Sequence, residues 1–98
     1  MLKSNQGSGI PLSCEHISVD GGGFAPTNGV YKRGSDKNGH PAWYLNPSTF
    51  IFFYIPDAHH YRAYRGWGIH HADHHRYYCN TEDTSVVPST GYKVRRTL

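Results

Sequence analysis

Four histidines and one aspartate crowd together as His70, His71, Asp73, His74 and His75, inside the segment GWGIHHADHHRYYC at 66–79. Imidazole nitrogen and carboxylate oxygen both bind zinc at about 2.0 to 2.1 Å, and imidazole also suits nickel. Whether these groups can converge depends on the backbone beneath them. On a helix, His70 and His74, or His71 and His75, would stand one turn apart on one face. The flanks argue for strands instead: Trp67 and Ile69 alternate before the cluster, and Tyr77 and Cys79 after it, the period of two that sends successive side chains to opposite faces. The cluster therefore reads as a hairpin loop tipped by Ala72 and Asp73, with His70 facing His75 across the ladder and His71 and His74 nearer the turn. In that loop the imidazoles are mostly solvated. An open zinc or nickel site made from His70, His71, Asp73, His74 and His75 is the rival reading, and no other cofactor is implied. Imidazole titrates near pH 6.5, so a pH-sensitive contact is a third use of the same residues. His59 and His60 add two more imidazoles in a neighbouring polar segment.

Catalysis finds less support. A nucleophile needs a base that is itself oriented by a third group. Cys14, Glu15 and His16 are consecutive, but strand alternation would send Cys14 and His16 to one face and Glu15 to the other. Asp57, Asp73, Glu82 and Asp83 fall in turn-like stretches with no spacing set by an element. The glycines at 21–23 precede no helical pattern, which removes the phosphate-cradle reading. The expectation is a protein that is not an enzyme. Aromatic rings are a stronger lead, since Tyr44, Tyr54, Tyr61, Tyr64, Trp67 and Tyr78 exceed what one small core needs. Tyrosine, tryptophan and arginine are enriched at protein interfaces, so Tyr54, Tyr61, Arg62, Tyr64, Arg65 and Trp67 form the expected partner-binding set. Rings on a sheet can also stack on sugars, which keeps a glycan in view.

The elements that position these residues follow from pattern and punctuation. The chain has 98 residues, 14% of them aromatic and eight of them tyrosine, a size for one small core and a composition that suits strands. Alternation recurs at Ile17 and Val19, at Trp43 and Leu45, and at Tyr92 and Val94. Turn chemistry separates these segments at DGGG (20–23), TNG (27–29), KNGHP (37–41), NPS (46–48) and PSTG (88–91). Asn38-Gly39 is the sharpest signal, because both residues accept the positive φ of a type I′ turn; it predicts a hairpin joining strands near 29–34 and 42–46. The run FIFFYI (50–55) lacks alternation and is expected to be a central strand covered on both faces. A helix, if present, is one short turn near 57–64. The fold class is all-β: a single small antiparallel barrel or meander of six to seven short strands. Residues 1–13 read as a flexible, disordered lead-in and 14–98 as one β domain. The expected core is Ile17, Val19, Val30 or Tyr31, Trp43, Leu45, Ile51, Phe53, Trp67, Ile69, Tyr77 and Val94. Cys14 and Cys79 are expected as free thiols rather than a pair.

The charge of +3 and pI near 9.0 bias the chain modestly toward anions, but Lys32, Arg33 and Lys37, like Lys93, Arg95 and Arg96, form no dense run, and nucleic acid is not the expected partner. No apolar run is long enough to span a bilayer and no secretory signal is readable, so a soluble protein, in the cytoplasm, is expected.

In order and spacing, Ile17-x-Val19-x-Gly21, Asn28-Gly29-x-Tyr31, Asn38-Gly39-x-Pro41, Trp67-x-Ile69 and Pro88 followed by Gly91-Tyr92-x-Val94 resemble a small β module that occurs singly or in tandem in predicted proteins of algae and other protists. The resemblance covers residues 17–94, excludes the histidine cluster, and implies a scaffold or binding role by association. The expected function is a non-enzymatic protein–protein interaction or structural module, a small subunit or self-assembling component of a larger complex whose partner is another protein or copies of itself. Metal binding by the histidine loop and carbohydrate binding by surface rings are the alternatives.

Overall fold

The computed structural model describes residues 2–3, 9–20, 25–55, 66–71, 75–80, 85–89 and 92–96, with backbone alone at 2–3, 75–80 and 93–96. Among these residues the chain is built from strands and contains no α-helix, only a 3-10 turn at Ala25–Thr27. In chain order the strands are β1 (Leu2–Lys3), β2 (Ile10–Pro11), β3 (His16–Val19), β4 (Gly29–Arg33), β5 (Trp43–Asn46), β6 (Thr49–Tyr54), β7 (Gly66–His70), β8 (His75–Asn80), β9 (Val86–Val87) and β10 (Lys93–Arg96). The seven strands of four or more residues match the expected six to seven, and the additional three are two-residue pairings. The main sheet is antiparallel, ordered β1-β3-β4-β5-β6-β7-β8-β10, and curls as a half-barrel; β2 and β9 form a second, two-stranded sheet. From β3 to β8 each strand pairs with its successor, the meander anticipated from the turns.

Local chemistry explains the turns. Asn38 and Gly39 take φ of 54° and 76°, and the amides and carbonyls of Lys37 and His40 exchange bonds of 2.9 Å, so a two-residue turn of the expected kind joins β4 to β5. The next turn is held by Asn46, whose side-chain oxygen accepts from both the amide and the hydroxyl of Ser48 at 3.0 Å, an Asx turn. The register shifts between Tyr44 and Asn46. Leu45, at that irregularity, packs against the core, and bulges of this sort add twist and curl to a sheet. Tyr31 and Tyr92 each return a hydroxyl to the carbonyl four residues back, Thr27 at 2.6 Å and Pro88 at 2.9 Å. Each bond pins a strand start to the turn before it.

The inner face follows strict alternation. Ile17 and Val19 on β3, Tyr31 on β4, Trp43 on β5, Ile51 and Phe53 on β6, and Trp67 and Ile69 on β7 are all buried. Of the two candidates on β4 it is Tyr31 that lies inside, whereas Val30 is 57% exposed. Trp67 meets Phe53 edge to face at 5.4 Å between centroids, an arrangement favoured by ring quadrupoles, and meets Trp43 at a tilt of 56° and 6.2 Å. Tyr77 and Val94 pair with each other, and Tyr77 pairs with Ile69; their side chains lie outside those described. Cys14 is a free thiol.

Strand pairing also reaches the start of the chain. Ile10 pairs with Val87 and Pro11 with Val86, and Ile10 and Val87 are both fully buried in the same cluster as Ile17 and Trp43. The small sheet thus packs against the inner face of the large one. Leu2 and Lys3 also pair with Val19 and Ser18, so the ladder extends well before Cys14. Two-residue strands carry no periodicity, which is why composition alone read this segment as a lead-in. The helical turn expected near 57–64 falls outside the described residues. Ile10→Ala should cost roughly 2 to 5 kcal/mol, the range for emptying a fully buried large aliphatic site, read as a lowered urea midpoint; a detached lead-in would give no change. Gly39→Ala should cost about 1 kcal/mol by the same measurement, because a Cβ is disfavoured at that positive φ although the space around it is open.

Candidate functional site

If Ile51 and Phe53 face inward, Phe50, Phe52 and Tyr54 must occupy the opposite face of β6. There the ladder sets up a row that crosses the sheet: His16 pairs with Lys32, Lys32 with Tyr44, Tyr44 with Phe50, and Phe50 with His70. The register continues the row through Arg76 and Arg95. Its central rings are in contact. Tyr44 and Phe50 lie 5.6 Å apart, and His70 stacks on Phe50 at 4.8 Å with planes 22° apart. Phe52 stands edge-on to Phe50 at 5.1 Å and to Tyr54 at 5.9 Å. His16 and Lys32 are exposed, and Tyr44, Phe50, Tyr54 and His70 are half-buried.

A cation is seated on this ring cluster. The Lys37 ammonium lies 4.5 Å from the Phe50 ring centre and 6.0 Å from that of Tyr44, within reach of a cation–π interaction worth about 0.5 to 1 kcal/mol where exposed. Lys37 is delivered there by the Asn38-Gly39 turn, which is itself tied to β6 through Asn38 Nδ2 donating to the Phe53 carbonyl at 3.0 Å. The Tyr44 hydroxyl donates to the Ser35 carbonyl at 2.8 Å. Burial, with a further contribution from the Asp36 carboxylate, raises the Tyr44 phenol above its ordinary value of 10.0. At neutral pH it is an uncharged ring with a hydrogen-bonding tip.

The residues expected at the site from the sequence fare unevenly. Tyr54 is on the outer face, at its half-buried margin. Trp67 is fully buried with Trp43 and Phe53, so its ring belongs to the core and is not a surface anchor; alternation had already placed it inward, and the partner-binding assignment is corrected accordingly. Tyr61, Arg62, Tyr64 and Arg65 lie outside the described residues, as do Asp73 and His74. The β7–β8 hairpin exists as anticipated, but its register pairs His70 with Arg76 rather than with His75. His75 lies one position further along and pairs with Arg96. Of the five candidate metal ligands, side chains are described for His70 and His71 alone, and no group of three or more histidine, cysteine, aspartate or glutamate side chains is gathered among the described residues. Phe50 was not singled out from the sequence, and Lys32, Lys37 and His16 were weighed there only as part of a sparse basic group and as a neighbour of Cys14. The available signal was the outward phase of Phe50, but its neighbours across the sheet depend on register, which no linear pattern encodes.

Comparison with known proteins leaves the geometry to speak alone: no family model, curated protein or solved structure matches the chain. The pieces carrying the motif resemblance serve the scaffold, with Ile17, Val19, Trp67 and Ile69 inside and Asn38-Gly39 at a turn.

The raised Tyr44 value has a definite sign. A phenol whose folded value lies above its unfolded one contributes stability that is complete below about pH 10 and is lost as pH rises through the folded value. An alkaline absorbance titration of the wild type minus Tyr44→Phe should isolate a phenol ionising above 10.0, and the variant should lose less stability over that limb.

Proposed function

We propose that the chain is a non-enzymatic binding module whose contact surface is the outer face of the sheet, and that its partner is anionic. The observation that carries this reading is the cross-strand row from His16 to His70, in which rings and basic side chains stand side by side, with Lys37 laid over the rings. Such a row supplies affinity: flat apolar area together with positive charge held close to it. The wider charge distribution agrees, since no strand of the described residues contains a carboxylate. A partner of opposite sign would therefore meet little repulsion along the ladder. This reading retains the binding class expected from the sequence and assigns the contact surface to the sheet. A protein partner or a second copy of the chain would have to present an acidic surface to suit this face. A glycan would use the rings and leave the cations without a purpose.

Retention on phosphocellulose tests the reading. Lys32→Gln and Lys37→Gln should each elute at lower salt than Ser13→Glu, which changes the net charge equally from an exposed position outside the row. Equal elution of the three variants would mean that the matrix senses net charge alone and would remove the row as the contact surface.

A further inference from the structure

We infer that the outer face binds single-stranded nucleic acid, with bases stacking on the rings around Phe50 and phosphates held by the basic residues in and beside the same row. This inference rests on the binding-module reading above and specifies its partner.

The first support is the intimacy of ring and charge. Lys37 Nζ lies 4.5 Å from the Phe50 ring centre, and Lys32 is paired directly with Tyr44 in the ladder. A base laid on the Phe50 ring takes the place of the Lys37 ammonium resting over it and leaves that ammonium beside the adjoining phosphate. A nucleotide strand repeats that combination in every unit, one planar base and one phosphate. An acidic peptide would engage the lysines without needing the rings, and a sugar would do the reverse.

The second support is the direction of the row. It runs across the strands, from His16 on β3 to His70 on β7, and the ladder extends it to Arg76 and Arg95. Adjacent strands are about 4.8 Å apart, so a strand of nucleic acid crossing the sheet encounters a new residue of the row at every step. Basic or aromatic residues occupy all seven positions. Aromatic stacking tolerates any base, because every base has a π face.

The third support distinguishes single strands from duplex. Phe50, Tyr44 and His70 belong to a sheet surface, and their mutual contacts at 4.8 to 5.6 Å hold them in a cluster. Paired bases bury their faces in the stack, whereas unpaired bases can be splayed onto such a platform.

The experiment is fluorescence anisotropy on the full chain with three labelled probes: a mixed-sequence single strand of about 12 nucleotides, within the usual site sizes of sheet-based single-strand binders, the same strand annealed to its complement, and a polyglutamate of similar charge. The single strand should bind about tenfold tighter than either other probe. Phe50→Ala should weaken it about tenfold, as loss of one stacking platform does. Lys32→Gln and Lys37→Gln, which leave the rings in place and provide a readout if Phe50→Ala does not fold, should each reduce the slope of log affinity against log salt by about 0.7. Duplex bound as tightly as single strand, or salt slopes unchanged in both lysine variants, would overturn the inference. Polyglutamate bound most tightly would overturn it too, by making the partner an acidic protein, and would leave the binding-module reading standing. Failure of all three probes to bind, together with phosphocellulose retention indifferent to the row, would bring down both.

Discussion

The indole of Trp43 is fully buried, yet its N–H must be hydrogen-bonded, because a buried donor left without a partner costs about 1 to 3 kcal/mol. Its partner is the carbonyl of Cys14, at 2.7 Å, and that one bond ties the segment entering β3 to the middle of the sheet. The ring performs the other half of the task. It packs on Trp67 and receives the Arg33 guanidinium 5.4 Å from its centre, while Arg33 reaches the Leu12 carbonyl at 2.6 Å and Asp36 at 3.6 Å. The Arg33 amide also donates to the Glu15 carbonyl at 2.7 Å. Residues 12 to 15 are thereby fastened to β4 and β5 at several points, and with them Ile10, which the core requires.

Fixing the inner face in this way determines the outer one. Once Trp43, Ile51 and Ile69 point inward, Tyr44, Phe50 and His70 have no choice of side, and the pairings of β5, β6 and β7 bring them abreast. The ring row is a by-product of the core's phase, and its chemistry is free to vary because these positions carry less of the packing. The side chains placed there are aromatic or basic, and no strand among the described residues contains a carboxylate. The 9% exposure of Phe52 marks where this face is most protected; opposite it stands Gly68, and a ring paired with a glycine covers backbone that has no side chain of its own.

What could be read in the sequence was whatever has a short range. Asn38-Gly39 specifies its turn through two backbone angles, Asn46 closes the next one through its own side chain, and Ile17, Val19, Trp67 and Ile69 announce their burial by alternation. Ile10 and Val87 were invisible for the opposite reason: each belongs to a two-residue pairing with a segment far away in the chain, so neither has a periodic neighbourhood to betray it. The row suffered from the same limitation. His16, Lys32, Tyr44, Phe50 and His70 are spread over more than half of the chain and become a unit only through four strand registers, one of them altered by the irregularity between Tyr44 and Asn46. The histidine cluster, by contrast, was conspicuous because it is contiguous, and the ladder then showed that adjacency in the chain pairs His70 with Arg76 and not with another imidazole.

The two-stranded sheet of β2 and β9 bears on how the molecule comes into being. Ile10 is synthesised well before Val87, the residue it pairs with. Until then the hollow of the half-barrel lacks its cover, and a nascent chain must keep Trp43, Trp67 and Ile10 from other apolar surfaces. Closing so long a loop is entropically slow and comes late in assembly. The Ile10–Val87 pairing is accordingly slow to form, and until it does the uncovered rings are what a chaperone would hold.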